Sequence, residues 1–154
     1  SKVTFSLALL AIFFQFSKAY SDDHQTPFGT EDEAKAMLER AINIVNFDKK
    51  YALNLFTNMS GGFQLHDLYV FCATLDGTIV AHPLTVGNNM FDFYDSNGKN
   101  LGTLIIRSAN ENQIDKVEYM LSRMTAKDNV TELAKTTFVT KIDDLVCAVG
   151  YYSK

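Results

Sequence analysis

The chain has 154 residues, 47% of them hydrophobic, and a net charge of −4. That length holds one domain with a full core and is short for two, and the composition excludes a disordered or fibrous chain. Acids and bases are interspersed without a basic stripe, which excludes the electrostatic footprint of nucleic-acid or anionic-membrane binding.

The first residues, SKVTFSLALLAIFFQFSKA, carry Lys2, then an apolar run, then the small-x-small pattern Ser17-Lys18-Ala19. This layout predicts a secretory signal peptide over 1–19. The apolar run is short of the roughly 20 residues a spanning helix needs, and an uncleaved anchor is the alternative. Cleavage after Ala19 would leave 135 residues and take the charge to −6 by removing Lys2 and Lys18. The mature protein is then expected to be periplasmic or secreted, with no membrane insertion after cleavage. Residues 20–29, polar with Pro27 and Gly29, read as a flexible leader.

A domain is expected over 30–154. Thr30 and Glu33 form a capping-box pattern, and Glu31, Asp32 and Glu33 suit the positive end of a helix dipole. Apolar residues recur at Ala34, Met37, Leu38, Ala41 and Val45, then less strictly through Ala52, Leu55, Phe56 and Met59. This spacing predicts one long amphipathic helix with one buried stripe, ended by Ser60-Gly61-Gly62, with a kink near Asn46.

After Phe63 the period changes. LYVFCATL and TIVAH flank Asp76-Gly77 and read as a β-hairpin. A loop from Pro83 to Asn97 follows, and then a short helix with Leu101, Leu104, Ile105 and Ala109 on one side. IDKVEYMLSRM, ELAKTTFVTKI and LVCAVGYY are three further strands, the first two joined through TAKDN and the last entered through Asp143-Asp144. Hairpin connections make the five-stranded sheet antiparallel. The long helix must cover one face. The loop and short helix can close the other, leaving a cavity.

Several chemistries find no footing. His24, His66 and His82 lack metal-ligand spacing, and Cys72 and Cys147 are too far apart for a CxxC site. DFYDSNG lacks the alternating acids of a calcium loop. No G-x-S-x-G, phosphate loop or singled-out carboxylate pair is present. Neither an enzyme nor a cofactor is indicated. Asn58-Met59-Ser60 and Asn129-Val130-Thr131 match glycosylation sequons, which act only in a eukaryotic secretory pathway.

Three segments in order, DLYVFCATLDGTIVAHP, GNNMFDFYDSNGKNL and KTTFVTKIDDLVCAVGYY, make the chain from about Thr30 to Tyr152 resemble single Cache domains. These are PAS-like extracellular sensors of bacteria, and the resemblance makes the two sequons incidental. It departs from the family where no proline marks the hairpin tip between the third and fourth strands, and where Phe138 stands for a tyrosine. The resemblance implies an α+β fold and function by binding. A small polar metabolite (an organic acid, an amino acid or an amine) would sit between sheet and loop. The signal, chemotaxis included, would pass to a separate membrane receptor or kinase. An envelope interaction module without a required ligand is the alternative.

On this resemblance His82 stands at the cavity rim, held extended by Pro83, as a ligand contact or a structural residue. Lys135 is either a carboxylate partner pointing inward or a solvated strand lysine. Tyr69, Phe71, Tyr119, Phe138 and Tyr151 line the cavity or fill core, and alternation allows only some of them to face it. Phe91 belongs to the loop, and Asn88 and Asn89 donate amides from it or form a turn. The first and last strands are central neighbours in the PAS-like order, so Cys72 and Cys147 form a disulfide or remain two buried thiols.

Overall fold

Thr30 opens the first helix by a reciprocal pair of bonds. Its Oγ1 accepts from Glu33 N at 3.2 Å, and its own N–H donates to Glu33 Oε1 at 3.1 Å. The computed structural model describes residues 26–124 and 131–153. The signal segment, the start of the leader with His24, the TAKDN connection and Asn129 lie outside the described residues.

The stretch expected as one helix is two, α1 (Glu31–Phe47) and α2 (Lys49–Thr57). Asp48 divides them. Its backbone is extended, its N–H still closes α1 on Ile44 O, and its carboxylate accepts from Tyr51 N at 3.0 Å. A short acidic side chain that can cap a new helix start competes with helix continuation, so the kink expected near Asn46 is a full break two residues on. The predicted stripe is otherwise as read: Ala34, Met37, Leu38, Ala41, Val45, Ala52 and Phe56 are buried. Met59 instead lies past α2 with 39% exposure. Among the described residues no helix is long and apolar enough to cross a membrane.

The sheet contains β1 (Gln64–Leu65), β2 (Leu68–Thr74), β3 (Ile79–Ala81), β4 (Asp115–Ser122), β5 (Glu132–Ile142) and β6 (Leu145–Tyr152). Its order is β1-β2-β6-β5-β4, with β3 also paired to β2, and all these pairings are antiparallel. The five predicted strands are joined by a sixth. That extra strand, β1, is two exposed residues folded onto β2 through His66, which has a positive φ of 53°. Two residues are too few to carry a period.

Alternation divides the sheet residues between two cores. Leu68, Val70, Cys72, Phe138, Cys147 and Val149 face α1 and α2. Tyr69, Phe71, Tyr119, Val139, Val146 and Ala148 face the opposite layer. That layer is the loop after β3, with a 3-10 turn at Met90–Asp92, and α3 (Leu101–Ser108). Asn100 caps α3 by accepting from Thr103 N at 2.9 Å. The architecture is the expected PAS-like one: an antiparallel sheet with helices on one face and a loop with a short helix on the other.

Asp95 ties the loop layer to the sheet, and a disulfide ties two strands within the sheet. Asp95 accepts from the backbone amides of Asn97, Lys99 and Met120, at 3.0, 2.9 and 3.0 Å. It thereby pins the loop to β4, and these donors hold its carboxyl below the usual range. Cys72 and Cys147 are register partners in the β2–β6 ladder with Cα atoms 4.1 Å apart, and their sulfurs are bonded.

Candidate ligand-binding site

Between the loop layer and the sheet lies a cavity of about 210 Å³. Tyr69 and Phe71 reach it from β2, Tyr119 from β4 and Lys135 from β5, while His82 stands where β3 ends. These five residues, scattered over 67 positions of sequence, meet because β2, β6, β5 and β4 are consecutive in the sheet.

Lys135 is only 2% exposed. Its Nζ donates to Tyr69 Oη at 3.2 Å and lies 4.8, 5.5 and 5.3 Å from the ring centroids of Tyr69, Phe71 and Tyr152. Burial opposes its charge. The phenols of Tyr69, Tyr119 and Tyr152 and the bond to Tyr69 outweigh burial and hold Lys135 above the ordinary lysine range. The phenols of Tyr119 and Tyr152 are themselves pushed up by burial, Tyr152 to about 12, so they are neutral when Lys135 is charged. No carboxylate among the described residues pairs with Lys135; the ion pairs there involve Lys49, His66, Lys116 and Arg123. A buried ammonium held by phenols and aromatic faces is the chemical signature of this cavity.

Gly150 makes room for it. A Cβ there would lie 2.4 Å from both Lys135 Cε and Thr137 Oγ1. Gly150→Ala is expected to lose about 1–3 kcal/mol of stability through overpacking, read as a lower denaturant midpoint. An unchanged midpoint would show that the lysine chain can leave its slot freely.

His82 has a defined tautomer. Nδ1 accepts from Leu84 N at 2.9 Å and Thr85 N at 3.2 Å, so the ring proton sits on Nε2. The ring meets Tyr69 and Phe71 edge-on, with centroids 5.1 and 6.0 Å apart. Burial, and then the Lys135 charge, lowers the imidazole to about 4. A base with a depressed folded pKa stays neutral in the fold while the unfolded chain takes up a proton. Its contribution is therefore complete above pH 6.5 and declines as pH falls from there to about 4. The span corresponds to at most about 3 kcal/mol. Denaturant midpoints between pH 4.5 and 6.5 should fall in the native protein and fall less in His82→Asn; parallel slopes would refute this role.

Other expected contacts lie elsewhere. Phe138 and Tyr151 pack in the helix-side core, because Phe138 is three residues from Lys135 and so points to the other face. Asn88 and Asn89 serve the loop itself. Asn88 O accepts from Ile79 N at 2.8 Å, and the Asn89 side chain accepts from Phe91 N and donates to Asp76 O, at 2.9 and 3.0 Å. Phe91 lies on α3 at Gly102, where a Cβ would meet its ring at 2.5 Å, and under the Arg107 guanidinium at 5.6 Å. None of these five residues lines the cavity.

Sequence reading missed the apolar wall: Ile79, Met90, Leu101, Ile105 and Leu121, with Leu84 and Phe93 nearer solvent. The signal for Leu101 and Ile105 was present as an apolar helix stripe, which by itself does not say that cavity replaces core. Tyr152 was missed because it reads as one more strand aromatic. A second hollow of about 350 Å³ beside Asn46, Gln113 and Thr140 is more polar, but its acids Glu111 and Asp143 are exposed. Among the described residues no group of three His, Cys, Asp or Glu is placed to hold a metal.

Comparisons with known proteins agree with this fold. No curated protein matches the chain. Three solved structures share its fold. A methyl-accepting chemotaxis protein from Vibrio parahaemolyticus is 18% identical with a TM-score of 0.63, over 79% of this chain and 86% of that one. The periplasmic sensor domain of a chemotaxis protein is 18% identical with a TM-score of 0.59, over 80% and 90%. A Cache chemosensory domain described for carboxylic acid recognition is 14% identical with a TM-score of 0.56, over 80% and 88%. The family model for single Cache domain 2 matches residues 9–153. The chain belongs to the single Cache domain 2 family of sensory ligand-binding modules.

Proposed function

We propose that this domain senses a small monocarboxylate, with the carboxylate on Lys135 and the apolar remainder against the wall formed by Ile79, Met90, Leu101, Ile105 and Leu121. One observation carries the reading: a cationic side chain, 2% exposed, reaches an apolar cavity without a carboxylate partner among the described residues. Tyr69 Oη, which accepts from Lys135, keeps its own proton to donate, and His82 Nε2–H is a further donor. A site of donors around one positive charge favours an acceptor-only anion. It disfavours an amine, whose charge would meet Lys135, and an amino acid, whose ammonium would find no acid there. The volume suits an acid of a few carbons and excludes a large polyacid. Carboxylic acid recognition by the Cache domain of like fold supports the same class.

In this reading the module works outside the cytoplasm and passes occupancy to a membrane-bound receptor or kinase. The likeness to a periplasmic sensor domain and the buried disulfide support that setting. Thermal shift and calorimetry with acetate, propionate, butyrate, the matching amides and the matching amines test the ligand class. Stabilisation by acids alone is expected, since a ligand that binds only the fold raises its midpoint. Equal or larger shifts with amides or amines would sink it. An interaction module without a ligand is the second reading. Phe47 and Tyr51, 84% and 54% exposed on either side of the Asp48 break, favour it.

A further inference from the structure

The cavity wall and the entry of the chain into α1 share one buried ion pair. Leu121, Ser122 and Met124 line the cavity at the end of β4, while Arg123 between them turns away from it. Arg123 Nε donates to Asp67 Oδ2 at 2.9 Å, with the two side chains 7% and 3% exposed. Its Nη2 donates to the carbonyls of Thr26 and Pro27, the latter at 3.3 Å, and its guanidinium lies 4.0 Å over the Phe28 ring. Asp67 Oδ1 accepts from Gly29 N at 2.7 Å. Gly29 presses on β2, where a Cβ would come within 2.2 Å of Leu68 Cγ. A four-residue segment is thus held by its carbonyls, by a ring face and by an amide, all on one Arg–Asp pair.

The same pair is joined to the ligand-binding cation. Tyr152 presents its ring to Lys135 Nζ at 5.3 Å and donates its hydroxyl to Ser122 O at 3.0 Å. The path runs Lys135, Tyr152, Ser122, Arg123, Asp67, Gly29, and each link is a contact of known geometry. Arg123 divides its donors between Asp67 and the two carbonyls, so a small shift of the guanidinium would break both sets of bonds together and release the Thr26–Gly29 segment.

We propose that this segment is the output element of the pocket: an acid bound at Lys135 favours the clasped arrangement, and clasping in turn tightens acid binding. The inference rests on the carboxylate reading for its ligand and on the clasp alone for its connection to the pocket. The sign follows from the wall. An occupant packed on Leu121 and Met124 restrains the end of β4, and so holds Arg123 where it meets Asp67. Reciprocity between the two equilibria is then obligatory.

Hydrogen exchange of the full chain at the Gly29 amide reports the clasp, since that N–H is held by Asp67. Saturating propionate should slow it about fivefold or more, the lower end of ordinary coupling. Arg123→Lys keeps the charge but loses the fork. It should weaken propionate about fivefold or more, while leaving the cavity's own donors in place. A ligand-free arm separates the clasp from the ligand class: Lys135→Met should change Gly29 exchange at least threefold, and exposed Lys50→Met should not. If propionate gives no thermal shift, the ligand reading fails and the Lys135→Met arm decides the connection. Gly29 exchange unchanged by Lys135→Met, or unchanged by propionate that binds, overturns the proposal.

Discussion

Lys135→Met is expected to weaken monocarboxylate binding about 100-fold, close to 2.7 kcal/mol, and to leave the stability of the ligand-free protein within about 1 kcal/mol of its present value. The two halves of that expectation have different causes. Binding falls because Lys135 brings the only buried positive charge among the cavity-lining residues, and neutral Tyr69 and His82 donors cannot neutralise an anion. Stability changes little because the phenol and ring contacts that hold the ammonium are set against its desolvation, and Met keeps most of the volume. Calorimetry with propionate and a denaturant titration of the unliganded variant measure both. Loss of stability together with retained binding would invert the assignment and make Lys135 a structural residue. A lysine whose removal harms only binding is one that folding alone does not explain.

Replacing both cysteines by alanine is expected to cost about 4 kcal/mol, lowering the thermal midpoint by roughly 8–16 °C. The bond closes a loop across 75 positions, and a cross-link of that span removes much of the freedom of the unfolded chain. Cys72 and Cys147 are fully buried in the helix-side core, so reductant reaches them only through unfolding. The double variant is therefore the cleaner measurement. Alkylation in denaturant without reductant gives an independent check, with no free thiol expected. Two alkylated thiols per chain, or a midpoint in the double variant within a degree of the native one, would remove the bond from the account of stability. The same bond joins β2 to β6, the two strands that carry Tyr69 and Tyr152 beside Lys135. Its loss is expected to be felt in the pocket as well.

Local chemistry was legible wherever it acts over a few residues. The capping box at Thr30 forms as written, and the stripe from Ala34 to Val45 is buried. The three C-terminal runs are strands β4, β5 and β6 within two residues of their expected ends. The full break at Asp48 was missed for a reason of the same scale. Its helical neighbours outvote it in a periodicity count, while in the fold its carboxylate starts a new helix on Tyr51 N. β1 is below the length at which a pattern exists.

The site divides along a different line. Lys135, Tyr69, Phe71, Tyr119 and His82 were nameable from sequence because each is conspicuous where it stands: a lysine inside an apolar strand, aromatics in alternation, a histidine before a proline. Which of them share a cavity was not nameable, since a strand's two faces differ by one position and only the partner layer says which face is hollow. Phe138 and Tyr151 fell on the packed face for that reason. The sequence by itself determined the elements and the unusual residues, because capping, period and turn chemistry are short-range. Tertiary structure alone decided that Lys135 meets three phenols and, among the described residues, no acid, and that Arg123 clasps Thr26 and Pro27 across 97 and 96 positions. Those meetings depend on strand order and register, which bring distant residues together through contacts that no local pattern encodes.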